Sequence, residues 1–287
     1  MRWIQPHTMR GLLRRAATGA IFVLIMLAGL FGGPYSFVLL FAIITGVCLW
    51  EYLGMMLIRD KKRDRIRKLI GLLMGLLPVV LSALVNLGVA RKPETFVLIA
   101  ALLFSPFIFM AFIYELLFTK SNRPFENVAF IMLGIIYIGM PFALLNFIAF
   151  DGDHFYAEPV FGILLLTWLN DTGAFVVGSL FGKTPLMPRI SPKKTWEGAV
   201  GGFLITIGTG AILFYTINQL SLLDWLIIAV IVSIFGSIGD LVESMLKRSR
   251  NIKDSGTLLP GHGGLLDRFD GFIFCIPFVA AYLLWLR

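Results

Sequence analysis

The sequence predicts an all-α polytopic integral membrane protein, and three observations carry that prediction. Hydrophobic residues make up 58% of the chain and charged residues 15%, a balance found where the main solvent is lipid. Apolar runs of about 20 residues, enough to span a hydrocarbon core, recur along the whole length. Lys and Arg are concentrated in alternate loops, because basic segments resist translocation.

The runs number about nine, and each has its own marks. The first, 16–33, follows Arg10, Arg14 and Arg15. Basic residues ahead of an apolar run imitate a secretory signal, but no small-x-small cleavage site precedes Gly32 and the next span follows at once, so this is an uncleaved helix. Gly32, Gly33 and Pro34 break the chain into a tight hairpin, which makes the second run, 35–57, its antiparallel neighbour. Arg59 to Lys68, RDKKRDRIRK, alternates in sign and reads as a solvated helix end or loop that orients the chain against headgroups. The runs 69–90, 96–118 and 127–150 are nearly free of charge. Of the last four, 161–181 carries Asp171, 199–217 is uncharged, 222–242 ends in Asp240, and 271–286 closes the set. Residues 1–160 thus form spans one to five, and 161–287 a second region of spans six to nine with loops 182–198 and 243–270.

Orientation follows from loop charge. With the N-terminus cytoplasmic, 22 of the 25 basic residues lie inside, while the outside segments hold Arg91, Lys92 and Arg287 and the loop 151–160 carries acids alone. An odd number of spans then leaves the C-terminus outside. The net charge of +8 is mostly this asymmetry, together with attraction to membrane lipids. It does not point to nucleic acid, because no basic domain interleaved with aromatics exists. Cys48 and Cys275 fall inside spans and imply neither a disulfide nor a metal. Small residues four apart, Gly71 with Gly75, Gly178 with Gly182 and Gly198 with Gly202, permit close helix approach in lipid.

Against this background the polar residues are informative, since an ionisable group near hydrocarbon persists when it is paired, hydrated or useful. They gather in three places on one side of the membrane. Asn170, Asp171, Thr172 and Gly173 sit within span six, either as a packing cluster bonded to a neighbouring span or as an intramembrane acid that meets a cation or substrate. The stretch Lys183 to Gly198 contains Pro185, Pro188 and Pro192, which forbid a continuous helix, and presents Lys183, Arg189, Lys193 and Lys194, a set suited to a polyanion. Running into it, Gly178 to Thr184, GSLFGKT, lacks the spacing and the preceding strand of a phosphate-binding P-loop. The third place is the block Ser244 to Asp270, SMLKRSRNIKDSGTLLPGHGGLLDRFD, preceded by Asp240 and Glu243.

Asp240 and Glu243 project from one side of a helix end, and Ser244, Lys247 and Arg248 extend that side with a hydroxyl and two cations. A glycine-rich loop then leads into Asp267, Arg268 and Asp270. Oxygen ligands of this kind suit Mg²⁺, so Asp240 and Asp267 are expected to meet across a metal that bridges substrate phosphates. His262 is a general base, a phosphate donor or a loop hydrogen bonder. Phosphate binding is favoured, because a phosphate monoester nucleophile is already largely ionised.

The block Ser244 to Asp270 resembles the signature of the phosphatidate cytidylyltransferases. Ser244, Lys247, Arg248, Lys253, Asp254, Gly256, Pro260, His262, Gly263, Gly264, Asp267, Arg268 and Asp270 all match it. The Asp-Thr-Gly-Ala and Ser-Pro-Lys-Lys-Thr elements between Asn170 and Gly198 resemble the family as well. The resemblance implies that CTP and phosphatidic acid combine to give CDP-diacylglycerol and pyrophosphate in phospholipid biosynthesis. It further implies Mg²⁺ held by Asp240 and Asp267, with room for a second, monovalent cation such as K⁺. Asp171 and Asp270 become secondary candidates for metal or for cytosine and ribose. Lys193, Lys194, Lys247, Arg248 and Arg268, with Ser244, bind the triphosphate or the lipid headgroup. Family members often form homodimers, which the glycine-lined faces permit. The implied location is a bacterial inner membrane, with the site facing the cytoplasm through a cavity among the C-terminal spans and a lateral opening to lipid. Glu51 and Glu115 receive no role. A kinase or cytidylyltransferase acting on another lipid is the nearest rival. Transport would instead demand repeats and polarity on both sides.

Overall fold

The computed structural model describes residues 9–57, 61–89, 106, 108–152, 154–258 and 263–286. Helices dominate them: α1 Met9–Phe31, α2 Pro34–Met56, α3 Lys61–Asn86, α4 Ile108–Phe118, α5 Pro124–Ala149, α6 Glu158–Phe181, α7 Trp196–Thr216, α8 Leu222–Ser249 and α9 Leu266–Leu286. Seven of these are long and apolar enough to cross a membrane. The other two, α1 with its apolar part Ala16–Phe31 and α4, stand where the first and fourth runs were expected. Residues 96–105 of that fourth run lie outside the described residues.

The α1–α2 hairpin forms as its breaker residues require. Gly33 takes φ 110°, Pro34 opens α2, and Ser36 Oγ donates to Gly29 O at 3.0 Å and to Gly33 O at 2.8 Å. α3 begins at Lys61, so the charged segment is a helix end, one of the two forms expected of it, but it is not wholly solvated. Arg67 explains this, being buried and pairing with Asp64 at 2.7 Å and with Glu115 of α4. Its charge is therefore compensated inside the bundle rather than in water. α8 likewise runs past Asp240 to Ser249, and α9 starts at Leu266, so Asp267 and Asp270 stand on helix and not in the loop before it.

Glycines set the helix spacing. A methyl group on Gly198 would lie 2.7 Å from Ala174 O, and one on Gly202 would lie 2.7 Å from Asn170 O, so α6 and α7 touch backbone to backbone. Leu49 and Leu53 of α2 fill the room left by Gly75 and Gly71 of α3. The aromatic centre of the core joins α2, α5 and α9: the Phe142 ring lies 6.0 Å from Phe41, 5.9 Å from Phe269 and 6.5 Å from Phe272, and all four are buried.

Two short antiparallel ribbons complete the fold, β1 Phe150–Asp151 with β2 His154–Phe155 and β3 Pro185–Met187 with β4 Ser191–Thr195. The proline-rich stretch after α6 is thus an ordered hairpin. Glu197 in the first turn of α7 clamps it, accepting from Lys183 N at 3.1 Å and from Thr184 Oγ1 at 2.9 Å. Thr195 caps the same helix by accepting from Gly198 N at 3.2 Å.

Candidate active site

The close α6–α7 contact and the β3–β4 hairpin wall off a cavity of about 440 Å³ that α8 completes. Asp171, Lys193, Lys194 and Asp240 line it, with Ser237 and the glycines Gly178 and Gly198. Lys194 Nζ pairs with Asp240, and Ser244 Oγ donates to Asp240 Oδ1 at 3.3 Å. Asn170 and Asp171 divide the work expected of their cluster. Asn170 is buried, donating to Ser237 Oγ at 3.2 Å and accepting from Thr206 Oγ1 at 3.3 Å, while Asp171 turns to the cavity. Two carboxylates facing two ammonium groups in a pocket with an apolar wall is an arrangement that takes up a polyanion together with a cation.

One helical turn beyond Asp240 lies a second, drier cluster. Lys247 Nζ donates to Glu243 Oε2 at 2.7 Å and to Asp267 Oδ1 at 2.8 Å, bridging α8 and α9. Asp267 also accepts from Ser255 N at 3.0 Å and from Gly264 N at 2.8 Å, so one carboxylate ties the two ends of the glycine-rich loop together. Gly263, at φ 85°, allows this turn. α8 itself stops in a Schellman motif, with Asn251 at φ 56°, Ile252 N donating to Lys247 O at 3.0 Å and Asn251 N to Arg248 O at 3.0 Å. Gly239 lets the helices approach: a methyl there would stand 2.8 Å from Asp270 O. Just ahead of both clusters α8 widens into a π-helical turn, Val232–Gly236, a distortion common beside functional sites.

The predicted residues are distributed as follows. Asp171, Lys193, Lys194, Asp240 and Ser244 belong to the cavity cluster, and Lys247 and Asp267 to the buried bridge. Asp270 is buried between them, accepting from its neighbour Gly271 N at 2.8 Å. Arg268 is exposed and lies within electrostatic reach of Asp171. Arg248 is exposed and donates to Ile252 O at 2.9 Å. His262 lies outside the described residues.

Glu51, which the sequence left without a role, is the residue that reasoning missed. From α2 it accepts from Ser255 Oγ at 3.2 Å, Leu265 N at 3.1 Å and Leu266 N at 2.9 Å. It therefore caps the start of α9, where free N–H groups and the helix dipole favour an anion. Its one signal in the sequence was a carboxylate near a span end, which says nothing about a partner more than 200 residues away.

Among the described residues no three acidic, histidine or cysteine side chains converge closely enough to hold a metal by themselves. Mg²⁺ commonly takes one or two carboxylates and fills its shell with water and substrate phosphates. The donor set fits that demand: Asp240 faces the cavity beside Asp171, Asp267 lies behind it on the Lys247 bridge, and Glu243 Oε1 is buried without a hydrogen-bond partner. Lys194 pairs with Asp240 and Lys247 with Asp267, contacts that a bound metal would share or replace.

Comparison with known proteins reaches over nearly the whole chain. Residues 13–286 match the Cytidylyltransferase family. The phosphatidate cytidylyltransferase of Bacillus subtilis is 37% identical over 271 residues, covering 93% of this chain and 95% of its own. Its counterpart in Staphylococcus saprophyticus is 35% identical, with 94% and 98% covered, and that of Staphylococcus aureus strain COL is 32% identical with the same coverage.

Proposed function

The chain belongs to the cytidylyltransferase family, and on that premise we propose that it is a phosphatidate cytidylyltransferase, joining CTP and phosphatidic acid to give CDP-diacylglycerol and pyrophosphate. It is an integral membrane nucleotidyltransferase. The observation that carries the reading is the cavity in which Asp171 and Asp240 face Lys193 and Lys194, on the region 161–287 that bears the family signature.

In this reading a phosphate oxygen of the lipid attacks the α-phosphorus of CTP. The new P–O bond forms as the bond to the β-phosphate oxygen breaks, and that oxygen leaves with pyrophosphate. No proton transfer is needed at an ionised phosphate, so the protein supplies position and charge. Lys193 and Lys194 hold phosphate oxygens at the cavity mouth, and Arg268 adds charge on the Asp171 side. Asp240, with Asp267 behind it, would hold Mg²⁺, which supplies neutralisation of charge on the attacking and leaving oxygens. Lys247 keeps Asp267 and Glu243 in place, and Asp270 packs between the clusters. Room for a monovalent cation beside the metal, a site facing the cytoplasm of a bacterial inner membrane, and a homodimer complete the reading.

The test is transfer of label from CTP carrying it on the α-phosphate into the organic phase, by purified protein with phosphatidic acid and Mg²⁺. Lipid-soluble label is expected. Its absence from a folded, metal-replete preparation would overturn the assignment in favour of another lipid acceptor.

A further inference from the structure

A cavity of about 970 Å³ lies away from the polar pocket, in a groove between α2 and α3 capped by residues 252–258 of the glycine-rich loop. Its floor is made by Ile43, Gly46 and Leu72, and its polar end by Trp50, Lys68 and Ser255. There is space at Gly46, where a methyl would meet nothing nearer than Leu72 Cδ1 at 3.6 Å. At the polar end Lys68 Nζ lies 5.1 Å from the centre of the Trp50 ring, in the space left by Gly54. Among the described residues Lys68 makes no ion pair with a carboxylate. Of the acids near it, Asp64 is paired with Arg67, and Glu51 is committed to Ser255 and to the start of α9. An apolar trough on a membrane-spanning face that ends in a cation and a glycine-rich loop is complementary to a lipid with an anionic phosphate headgroup. Ser255, at this end of the groove, also donates its N–H to Asp267 at 3.0 Å, so the polar end of the groove adjoins the buried cluster.

We propose that the α2–α3 groove seats the phosphatidate substrate, with acyl chain along Ile43, Gly46 and Leu72 and headgroup phosphate at Lys68 and the loop 252–258. The inference rests on the cytidylyltransferase reading and adds a lipid subsite from the N-terminal half of the chain. Lys68→Gln raises the KM for phosphatidate about tenfold, the loss of one charge-assisted contact, and leaves the KM for CTP unchanged; Lys68→Arg restores most of it. Gly46→Leu fills the trough and raises the KM for dioleoyl phosphatidate more than that for a dihexanoyl analogue. Independently of turnover, a phosphatidate with a diazirine in its acyl chain labels peptides of α2 and α3 in the full-length protein. Unlabelled phosphatidate displaces the probe and phosphatidylcholine of the same chains does not. Unchanged KM values in Lys68→Gln and Gly46→Leu, or equal displacement by both lipids, overturn the groove as substrate site. A wild-type protein that makes no lipid-linked cytidylyl product overturns the underlying function instead.

Discussion

Lys194 and Lys247 each pair with an aspartate, and exposure separates what the two pairs do. The side chains of Lys194 and Asp240 are 29% and 30% exposed, so their pair contributes at most about 1 kcal/mol. Asp240→Asn should therefore leave thermal stability in detergent almost unchanged while reducing cytidylyl transfer by at least about 100-fold, the scale of a lost charge-stabilising group. Substantial turnover in that variant would remove Asp240 from the site. Lys247 is 11% exposed beside Glu243 at 0% and Asp267 at 9%. Lys247→Met strands two buried carboxylates and should lower stability by about 3–5 kcal/mol, seen as a large fall in melting temperature. A stable Lys247→Met protein would mean that the bridge is not structural. The sequence presented both lysines as equivalent cations for phosphate. Burial distinguishes them, and burial depends on which helix packs over which residue.

At the scale of elements, the glycines were legible because spacing in one helix is a local property. Their effect can be checked by contrast. Gly198→Val drives side-chain atoms into the Ala174 carbonyl across the α6–α7 contact and should cost about 1–3 kcal/mol. Gly208, also in α7, has open space where a Cβ would stand, so Gly208→Ala should be neutral or gain up to about 1 kcal/mol. Chemical denaturation of both variants settles the comparison, and equal stabilities would remove the close contact. The spans were also legible, since long apolar runs announce themselves. Less so was the β3–β4 hairpin: three prolines excluded helix, but the clamp from Glu197 that orders the turn acts across 13 to 14 residues. Helix ends were harder still, because the polar starts of α3 and α9 are stabilised by partners on other helices. Glu51 is the sharpest case. Glu51→Gln should loosen the loop it caps, increasing the rate of proteolysis within residues 252–258 without unfolding the bundle, and an unchanged rate would show that the cap is dispensable.

For the whole molecule, the expectation is one polar face. Single cysteines placed at Lys62 and Lys193, in a protein whose Cys48 and Cys275 are buried, should be labelled by an impermeant maleimide from the same side of sealed vesicles, and a cysteine at His154 from the other. Labelling of Lys62 and Lys193 positions from opposite sides would break the orientation read from loop charge. Chelation of divalent metal should abolish transfer and Mg²⁺ restore it, and activity that survives chelation would exclude a metal-assisted step. These tests bear on the molecule as one unit, because the aromatic centre around Phe142 draws α2, α5 and α9 into a single core.

The Glu51 cap also carries a consequence for biogenesis. Its acceptor contact with Leu265 N joins residues 214 positions apart. At a synthesis rate of about 5–20 residues per second, the carboxylate waits on the order of tens of seconds in a partly inserted bundle before its partner emerges. For nearly all of that interval neither the glycine-rich loop nor Asp267 has been made. On the proposed reading catalytic competence thus arrives late and all at once, and a ribosome stalled before the final helix is expected to leave an inert membrane fragment rather than a partly active enzyme.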